Sequence, residues 1–336
     1  MCSGIIRIKL IIIGSGSISK KHSSIARKVL PDIEIKVASR TKSNVLDKSS
    51  KIPYDIEEII DFKPTIGIVA NPAPFHIEIA NELLRNDCNI IIEKPISNNL
   101  TDACKLDIQR GNIVQIGYNL RFCKSLQMLK DYVDSKKLGK IFSVRCEVGQ
   151  NLMYWRKDRD YRSSVTANRN LGGGVLLELS HELDYLSWIF GPCKWVRAWI
   201  GNVSDLEVDV EDSANLILGM TQKNTDKDLI CSLNMDFFRQ EQHRSCTVIC
   251  EYGTIKWNGC LGMVKIYSKE TGFWKTTFSD ISDVEQSYSR QFKSFLNNID
   301  KDQPATPNVQ DGINVLKIIE SSHESSSQYG NQVTIN

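Results

Sequence analysis

The chain has 336 residues, 41% hydrophobic and 24% charged, which is enough for about two globular domains. Its net charge of +2 comes from 42 basic and 40 acidic residues, so charge gives no reason to expect a nucleic acid or a membrane surface as a partner. No stretch reaches the ~18 apolar residues of a transmembrane helix. The N-terminal stretch also lacks the pattern of a secretory signal, so we expect a cytoplasmic protein.

Cysteine and histidine are dispersed along the chain. The ten cysteines include no Cys-x-x-Cys pair, and the five histidines do not cluster with them. This usage is typical of a cytosolic protein with reduced thiols. We therefore expect no metal site.

Strand and helix patterns alternate over residues 1–120, which favours a parallel α/β sheet. Apolar runs that predict buried strands lie at Ile8–Ile13, Ile33–Ala38, Thr65–Ala70, Asn89–Glu93 and Ile113–Gly117. Helical patterns between them lie at Ile18–Val29, Ile56–Phe62, Phe75–Arg85 and Asn99–Arg110.

The pattern changes over residues 121–336. A helix at Cys123–Ser135 precedes a long strand at Lys140–Gly149, and a triple glycine opens an apolar helix predicted over Val175–Phe190. Several strands between Trp195 and Phe278 indicate a large, mostly antiparallel sheet that is open on one face. We therefore predict a second, α+β domain over residues 121–336, whose last helix can pack back on the first domain.

The first strand leads into Gly14-Ser15-Gly16-Ser17-Ile18-Ser19, a GxGxxG pattern with Ser19 at the third glycine. The first glycine permits a tight turn, and the second lets a pyrophosphate approach the backbone at the positive end of a helix. This context predicts a Rossmann domain over residues 1–120, with Gly14, Gly16, Ser17 and Ile18 binding a dinucleotide. The alternative is a plain tight turn.

The end of the second strand indicates which cofactor is bound. An acidic residue here usually holds the ribose hydroxyl of NAD, but this chain has Ser39, Arg40 and Lys42. A hydroxyl and two cations suit a 2′-phosphate, so we expect NADP(H) to be preferred, with NAD(H) possible. A solvated basic turn is the alternative.

Four motifs together resemble the Gfo/Idh/MocA oxidoreductases, the relatives of glucose-fructose oxidoreductase and inositol dehydrogenase. They are the glycine loop, Ala70-Asn71-Pro72-Ala73-Pro74-Phe75-His76, Glu93-Lys94-Pro95 and Gly172-Gly173-Gly174. The resemblance implies NAD(P)-dependent hydride transfer at a carbon of a sugar, an acidic sugar or a nucleotide sugar. It also implies a substrate-binding C-terminal domain and a homodimer or homotetramer that pairs through its sheet.

The resemblance also assigns residues near the nicotinamide. It implies that Asn71, His76, Glu93 and Lys94 bind the cofactor, that Lys94 is catalytic at the reacting hydroxyl, and that the Lys94–Pro95 bond is cis. A lysine at a strand end can stabilise an alkoxide or move its proton. The alternative for Lys94 is an ordinary surface charge.

Glu178, His181 and Asp184 follow the triple glycine at helical spacing. His181 is the expected general acid or base because its ordinary pKa lies near physiological pH, and it is also expected to bind substrate. Glu178 or Asp184 would orient it, although the family's usual Asp and His stand four residues apart. A core role is the alternative for His181 and for Asp184.

Further residues are expected to bind substrate. Asn119 and Arg121 stand at the predicted domain junction, and a basic, aromatic loop contains Trp155 and Arg162. Aromatic rings beside arginines suit a sugar that carries an anion, while a loop of solvated ion pairs is the alternative. The stretch is most similar to members from surface-polysaccharide or nonulosonic acid pathways.

Two other functions are compatible with the same motifs. One is an NAD-dependent glycosidase, and the other is a non-catalytic regulator that senses the cofactor. Lys94 and His181 favour the dehydrogenase over the regulator.

Overall fold

The chain folds into two units, each with its own β-sheet. The computed structural model describes residues 8–40, 50–52, 54–155, 160–221 and 227–336. The first unit comprises Met1–Gly117 and Tyr288–Ile313, and the second comprises Tyr118–Ser287 and Asn314–Asn336. The two units are therefore not divided at a single point near residue 120, because residues 288–313 return to the first unit.

The first unit contains a six-stranded sheet in the order β3-β2-β1-β4-β5-β6, with every neighbouring pair parallel. In chain order its elements are β1 (Lys9–Ile13), α1 (Ser17–Val29), β2 (Glu34–Ala38), β3 (Ser50–Ile52), α2 (Ile56–Asp61), β4 (Ile66–Val69), α3 (His76–Arg85), β5 (Asn89–Ile92), α4 (Leu100–Ala103) and β6 (Val114–Ile116). The strand order reverses between β1 and β4, where doubly wound sheets bind ligands at the carboxyl ends of their strands.

Apolar strands explain this sheet. The runs at β1, β4 and β5 are rich in isoleucine, and their side chains are buried because helices cover both faces of a parallel sheet. The returning segment completes the core, since Phe292, Phe295 and Ala305 pack into the same cluster as the strands. The predicted Rossmann fold is confirmed.

The second unit contains a nine-stranded sheet in the order β14-β13-β12-β11-β7-β10-β9-β8-β15. The elements from residue 118 on are α5 (Lys124–Ser135), β7 (Ile141–Gly149), α6 (Val175–Glu178), α7 (His181–Phe190), β8 (Cys193–Gly201), β9 (Ser213–Met220), β10 (Leu229–Asp236), β11 (His243–Cys250), β12 (Gly253–Asn258), β13 (Met263–Ser268), β14 (Trp274–Ser279), α8 (Asp283–Asp300), α9 (Val309–Ser327) and β15 (Val333–Thr334). Helices α8 and α9 each begin in one unit and end in the other.

One face of this sheet is covered and the other is open. On the covered face, Tyr185 of α7 packs its ring 5.5 Å from that of Trp257, whose indole nitrogen donates to Ser125 of α5. On the other face, Trp199, Ile217 and Ile230 are 40–51% exposed. All strand pairs are antiparallel except β7 with β10, which confirms the predicted large, mostly antiparallel open sheet.

Two predicted helices differ from the structure. The helix expected over Asn99–Arg110 ends at Ala103, because the side chain of Asn81 donates to the carbonyl of Lys105 and accepts from the amide of Asp107. These contacts use backbone groups that a longer helix would need. The prediction of a single helix over Val175–Phe190 was also wrong.

That helix is interrupted between α6 and α7. The amide of Glu182 donates to the carbonyl of Leu179, three residues back, before the four-residue pattern resumes with Asp184 and Ser180. Glu178 therefore ends one helix and His181 begins the next, so the two do not lie on one continuous helical face. Among the described residues, no helix is long and apolar enough to cross a membrane.

Candidate functional site

The glycine loop joins β1 to α1 at the carboxyl end of the sheet. Gly14 has φ of +108°, and a side chain there would collide with the carbonyl of Ala70 at the end of β4. At Gly16, by contrast, a Cβ would point into open space among the described residues. Gly14 thus closes the turn, while Gly16 leaves open space at the N-terminus of α1, which can accept a pyrophosphate.

Ser15 and Ser39 connect this loop to the end of β2, since their hydroxyls lie 2.8 Å apart. The exposed guanidinium of Arg40 follows, stacked 4.5 Å from the ring of Tyr54 and 5.2 Å from that of Phe75. Stacking fixes the plane of a guanidinium, which preserves its geometry for a phosphate. Lys42 lies outside the described residues.

Asn71 and His76 lie after β4. The amide nitrogen of Asn71 donates to the carbonyl of Phe75, while its buried Oδ1 has no hydrogen-bond partner among the described residues. A buried acceptor of this kind suits a cofactor that carries donors. His76 is buried between two carbonyls, of Asn71 at 2.7 Å and of Pro95 at 3.0 Å, and burial lowers its pKa.

Glu93 and Lys94 follow β5. The Glu93 carboxylate is buried against His22 of α1, with 2.6 Å between its Oε1 and the ring Nε2. Any side chain at Gly117 would collide with Glu93, so a glycine is needed there. Lys94 is half-buried, and its bond to Pro95 is cis. Sequence analysis did not identify His22 as the partner of Glu93.

The triple glycine makes room for a residue that sequence analysis missed. A Cβ at Gly173 would collide with the carbonyls of Val165 and Thr166, and one at Gly174 with the carboxylate of Glu211. Glu211 accepts hydrogen bonds from the first two amides of α6, one through its backbone carbonyl and one through Oε1. Burial raises the pKa of Glu211. Its partners lie 35 residues away, so no local pattern could reveal it.

His181 stands at the N-terminus of α7 with only 9% of its surface exposed. The edge of the Tyr118 ring packs against it at a centroid distance of 5.6 Å, which fixes the plane of the imidazole. Glu178 is half-buried at the end of α6. His181 and Glu178, two of the four predicted catalytic residues, thus lie on two short helices, and the surroundings of His181 are largely desolvated.

Asp184 is paired with Arg121. The guanidinium donates twice to the carboxylate, at 2.9 and 2.6 Å, and both side chains are at most 9% exposed. A fork-to-fork pair of this kind fixes both groups. Their contacts therefore favour the alternative reading of Asp184 as a structural residue, with Arg121 as its partner.

The remaining predicted substrate residues are also engaged in contacts. Asn119 is buried and donates to the hydroxyl of Ser287, and Trp155 donates to the carbonyl of Gln150 and packs against Phe237. Arg162 is exposed and pairs with Asp160 and Glu207, which favours the ion-pair alternative for this residue. Residues 156–159, the centre of the basic loop, lie outside the described part of the chain. Among the described residues there is no cluster of potential metal ligands.

Two family models match the chain, one in each unit. A family described as "Oxidoreductase family, NAD-binding Rossmann fold" matches residues 8–118, and the GFO/IDH/MocA C-terminal domain matches residues 126–256. Glucose-6-phosphate 3-dehydrogenase of Bacillus subtilis is 27% identical over 54% of this chain and 53% of its own length. Inositol 2-dehydrogenase of Salmonella typhimurium is 24% identical over 64% of each chain. The chain thus spans about half to two thirds of these relatives.

Solved structures share the whole fold. Levoglucosan dehydrogenase in complex with NADH superposes with a TM-score of 0.85 at 17% identity, covering 98% of this chain and 99% of that one. An NAD-binding oxidoreductase from Klebsiella pneumoniae gives a TM-score of 0.81 at 15% identity, with 98% and 99% coverage. At this identity the likeness is one of fold.

Proposed function

We propose, since this chain belongs to the Gfo/Idh/MocA oxidoreductase family, that it transfers a hydride between NAD(P)(H) and a carbon of a sugar-like substrate. One observation carries the proposal. Because β1, β4 and β5 are parallel neighbours, their carboxyl ends bring the glycine loop, Asn71 and Lys94 to the same edge of one sheet. That edge, at the reversal of strand order, is where doubly wound sheets bind dinucleotides.

The residues present fit a dinucleotide. The open space at Gly16 admits a pyrophosphate, and Gly14, Ser17 and Ile18 form the turn and the first residues of α1. The unmatched acceptor of Asn71 suits a donor of the nicotinamide or its ribose. When bound, the nicotinamide supplies the hydride chemistry, and the protein supplies orientation and electrostatics.

Lys94 and His181 are the proposed proton-handling residues. The Lys94 ammonium would stabilise negative charge on the reacting oxygen or take up its proton, and the His181 imidazole would act as general acid or base. The Tyr118 ring holds that imidazole in one plane, so its nitrogens point in fixed directions. Glu178 stays a candidate for the residue that orients the His181 imidazole.

The substrate is proposed to be a polyhydroxylated ring: a sugar, an acidic sugar or a nucleotide sugar. The named relatives act on glucose 6-phosphate, inositol and levoglucosan, which share such a ring. Trp155 would provide an aromatic face for it.

NADP(H) is the proposed preferred cofactor, because Arg40 presents a stacked guanidinium at the end of β2. Charge-assisted hydrogen bonds to a phosphate contribute about 1.5–3 kcal/mol, so NADPH should bind roughly 10–100 times more tightly than NADH. Calorimetric titration of the cofactor-stripped protein with both nucleotides tests this. Arg40→Ala should erase the difference and leave NADH binding unchanged. Binding of neither nucleotide would refute the dehydrogenase proposal.

Turnover provides the second test. The absorbance of NAD(P)H is followed with myo-inositol, glucose 6-phosphate and levoglucosan as probes. Lys94→Ala and His181→Ala should each lower kcat by about 100-fold or more, as expected for loss of general acid–base catalysis, while nucleotide binding is kept. Normal turnover by both variants would contradict the proposed roles.

A second copy of the chain is the proposed partner of the open sheet face. Trp199, Ile217 and Ile230 on neighbouring strands expose apolar surface there, as expected of a sheet that pairs with another subunit. Light scattering after size exclusion should give a dimer or a tetramer. Ile217→Lys should shift it toward the monomer, whereas Lys28→Glu on α1 of the first unit should not.

A further inference from the structure

Two buried histidines hold the residues on either side of Lys94. His22 of α1 contacts the carboxylate of Glu93, the residue before Lys94, and both side chains are at least nine-tenths buried. His76 of α3 contacts the carbonyl of Pro95, the residue after it. The backbone of Lys94 is therefore fixed on both sides by groups from two different helices.

The contact between His22 and Glu93 is short and specific. Its 2.6 Å distance joins residues 71 positions apart, and the ring of Tyr288 packs edge-on against His22 at 6.2 Å. A buried carboxylate requires a donor, because an unpaired one is strongly disfavoured. An apolar residue at position 22 would leave Glu93 without that donor, so the histidine does more than fill space.

His76 joins two strand ends. Its Nε2 lies 2.7 Å from the carbonyl of Asn71, after β4, and its Nδ1 lies 3.0 Å from that of Pro95, after β5. A carbonyl can only accept, and a neutral imidazole carries one N–H, so in each tautomer His76 donates to one of the two carbonyls. Burial lowers the pKa of His76 and so favours this neutral form. The imidazole thus spans the two loops expected to bind the nicotinamide end of the cofactor.

We propose that His22 and His76 are positioning residues that set the location of Lys94. This inference rests on the proposed role of Lys94, and it assigns no contact with substrate to either histidine. Misplacing a reacting group by about 1 Å can lower turnover about 100-fold. Loss of either histidine should therefore lower kcat by about 10- to 100-fold and change KM for the sugar by less than about threefold.

Amide side chains allow each contact to be kept or removed separately. Glutamine places an amide near the position of Nε2, and asparagine places one near Nδ1. His22→Gln should keep the donor to Glu93 and retain most of the turnover that His22→Leu loses. At position 76, His76→Asn keeps the contact with Pro95 and should retain more turnover than His76→Gln, which keeps only the contact with Asn71.

The matched controls are Ile25→Ala on α1 and Ile79→Ala on α3. Both truncate buried side chains on the same two helices and keep His22 and His76 in place, so they lower stability while retaining the two histidine side chains. They separate positioning from general destabilisation, because only the histidine variants should change kcat at a temperature where every protein is folded.

The deciding experiment uses NADH as the probe, so that the result does not depend on the substrate. The emission of bound NADH reports the surroundings of the nicotinamide, and titration gives its Kd. His22→Leu and His76→Gln should reproduce the emission change caused by Lys94→Ala, and the isoleucine controls should match the wild type. If Lys94→Ala changes emission and both histidine variants do not, the positioning role is wrong and the proposed function stands. If Lys94→Ala itself changes neither emission nor kcat, the role of Lys94 fails, and the inference fails with it.

Discussion

Removing Asp184 should destabilise the second unit strongly. Its carboxylate is 1% exposed and receives two hydrogen bonds from Arg121, at 2.9 and 2.6 Å, so Asp184→Ala removes the carboxylate that pairs with this buried guanidinium. Breaking a buried pair in this way costs about 3–5 kcal/mol. At roughly 2–4 °C per kcal/mol for a unit of this size, the Tm should fall by about 10 °C. Thermal unfolding followed by tryptophan fluorescence measures this, since Trp188 lies 5.6 Å from the Arg121 guanidinium.

Two further variants test the reasoning. Arg121→Met with Asp184→Leu should recover most of the loss, because no uncompensated charge stays buried. Asp160→Ala removes one of the two partners of the exposed Arg162 and should leave the Tm unchanged. If Asp184→Ala melted within about 2 °C of the wild type and had lost turnover, the carboxylate would be acting in the chemistry and the structural reading would be refuted.

Three other predictions concern the segment around the triple glycine. Gly174→Ala should lower the free energy of unfolding by about 1–3 kcal/mol in urea titrations, because φ is +112° and the new methyl would meet Glu211. Gly111→Ala, at φ +92° in open space, should cost clearly less; an equal loss would mean that the collision is unimportant. Because burial raises the pKa of Glu211, the folded protein binds that proton more tightly, so its contribution to stability is full below the ordinary glutamate pKa and declines as pH rises through the raised one. The urea midpoint of Glu211→Gln should therefore rise relative to that of the wild type as the pH increases from 4 to 8. A constant difference between the two midpoints would contradict this. His181→Asn should lower kcat by about 100-fold while leaving the NADH Kd within about threefold, as calorimetry would show; an unchanged kcat would exclude it as the general acid or base.

The fold was largely predictable because its strands have simple patterns. Continuous isoleucine runs at β1 and β5 identify buried parallel strands, and the glycine loop after β1 identifies the cofactor end of the sheet. The break before His181 was not predictable, since residues 175–190 contain no internal glycine or proline and keep a helical composition. Glu211, which accepts hydrogen bonds from the first two amides of α6, is likewise distant in sequence.

The site was predictable as a set of motifs, but the partners of its residues were not. A motif identifies Glu93 or Asp184, yet the partner of Glu93 is 71 residues away and that of Asp184 is 63 residues away. Such long-range pairs depend on the tertiary fold, and they decide whether a charged side chain acts on substrate or supports its neighbours.

The return of residues 288–313 to the first unit has a consequence for synthesis on the ribosome. Phe292 and Phe295 belong to the core of the cofactor-binding unit, but they are translated only after nearly all of the second unit. The N-terminal unit therefore cannot complete its core when residue 117 leaves the exit tunnel, and the usual order in which the first domain folds first does not apply. A gene fragment that stops near residue 120 would produce an unfinished domain, whereas one that joins residues 1–117 to 288–313 through a short linker would encode the whole of it.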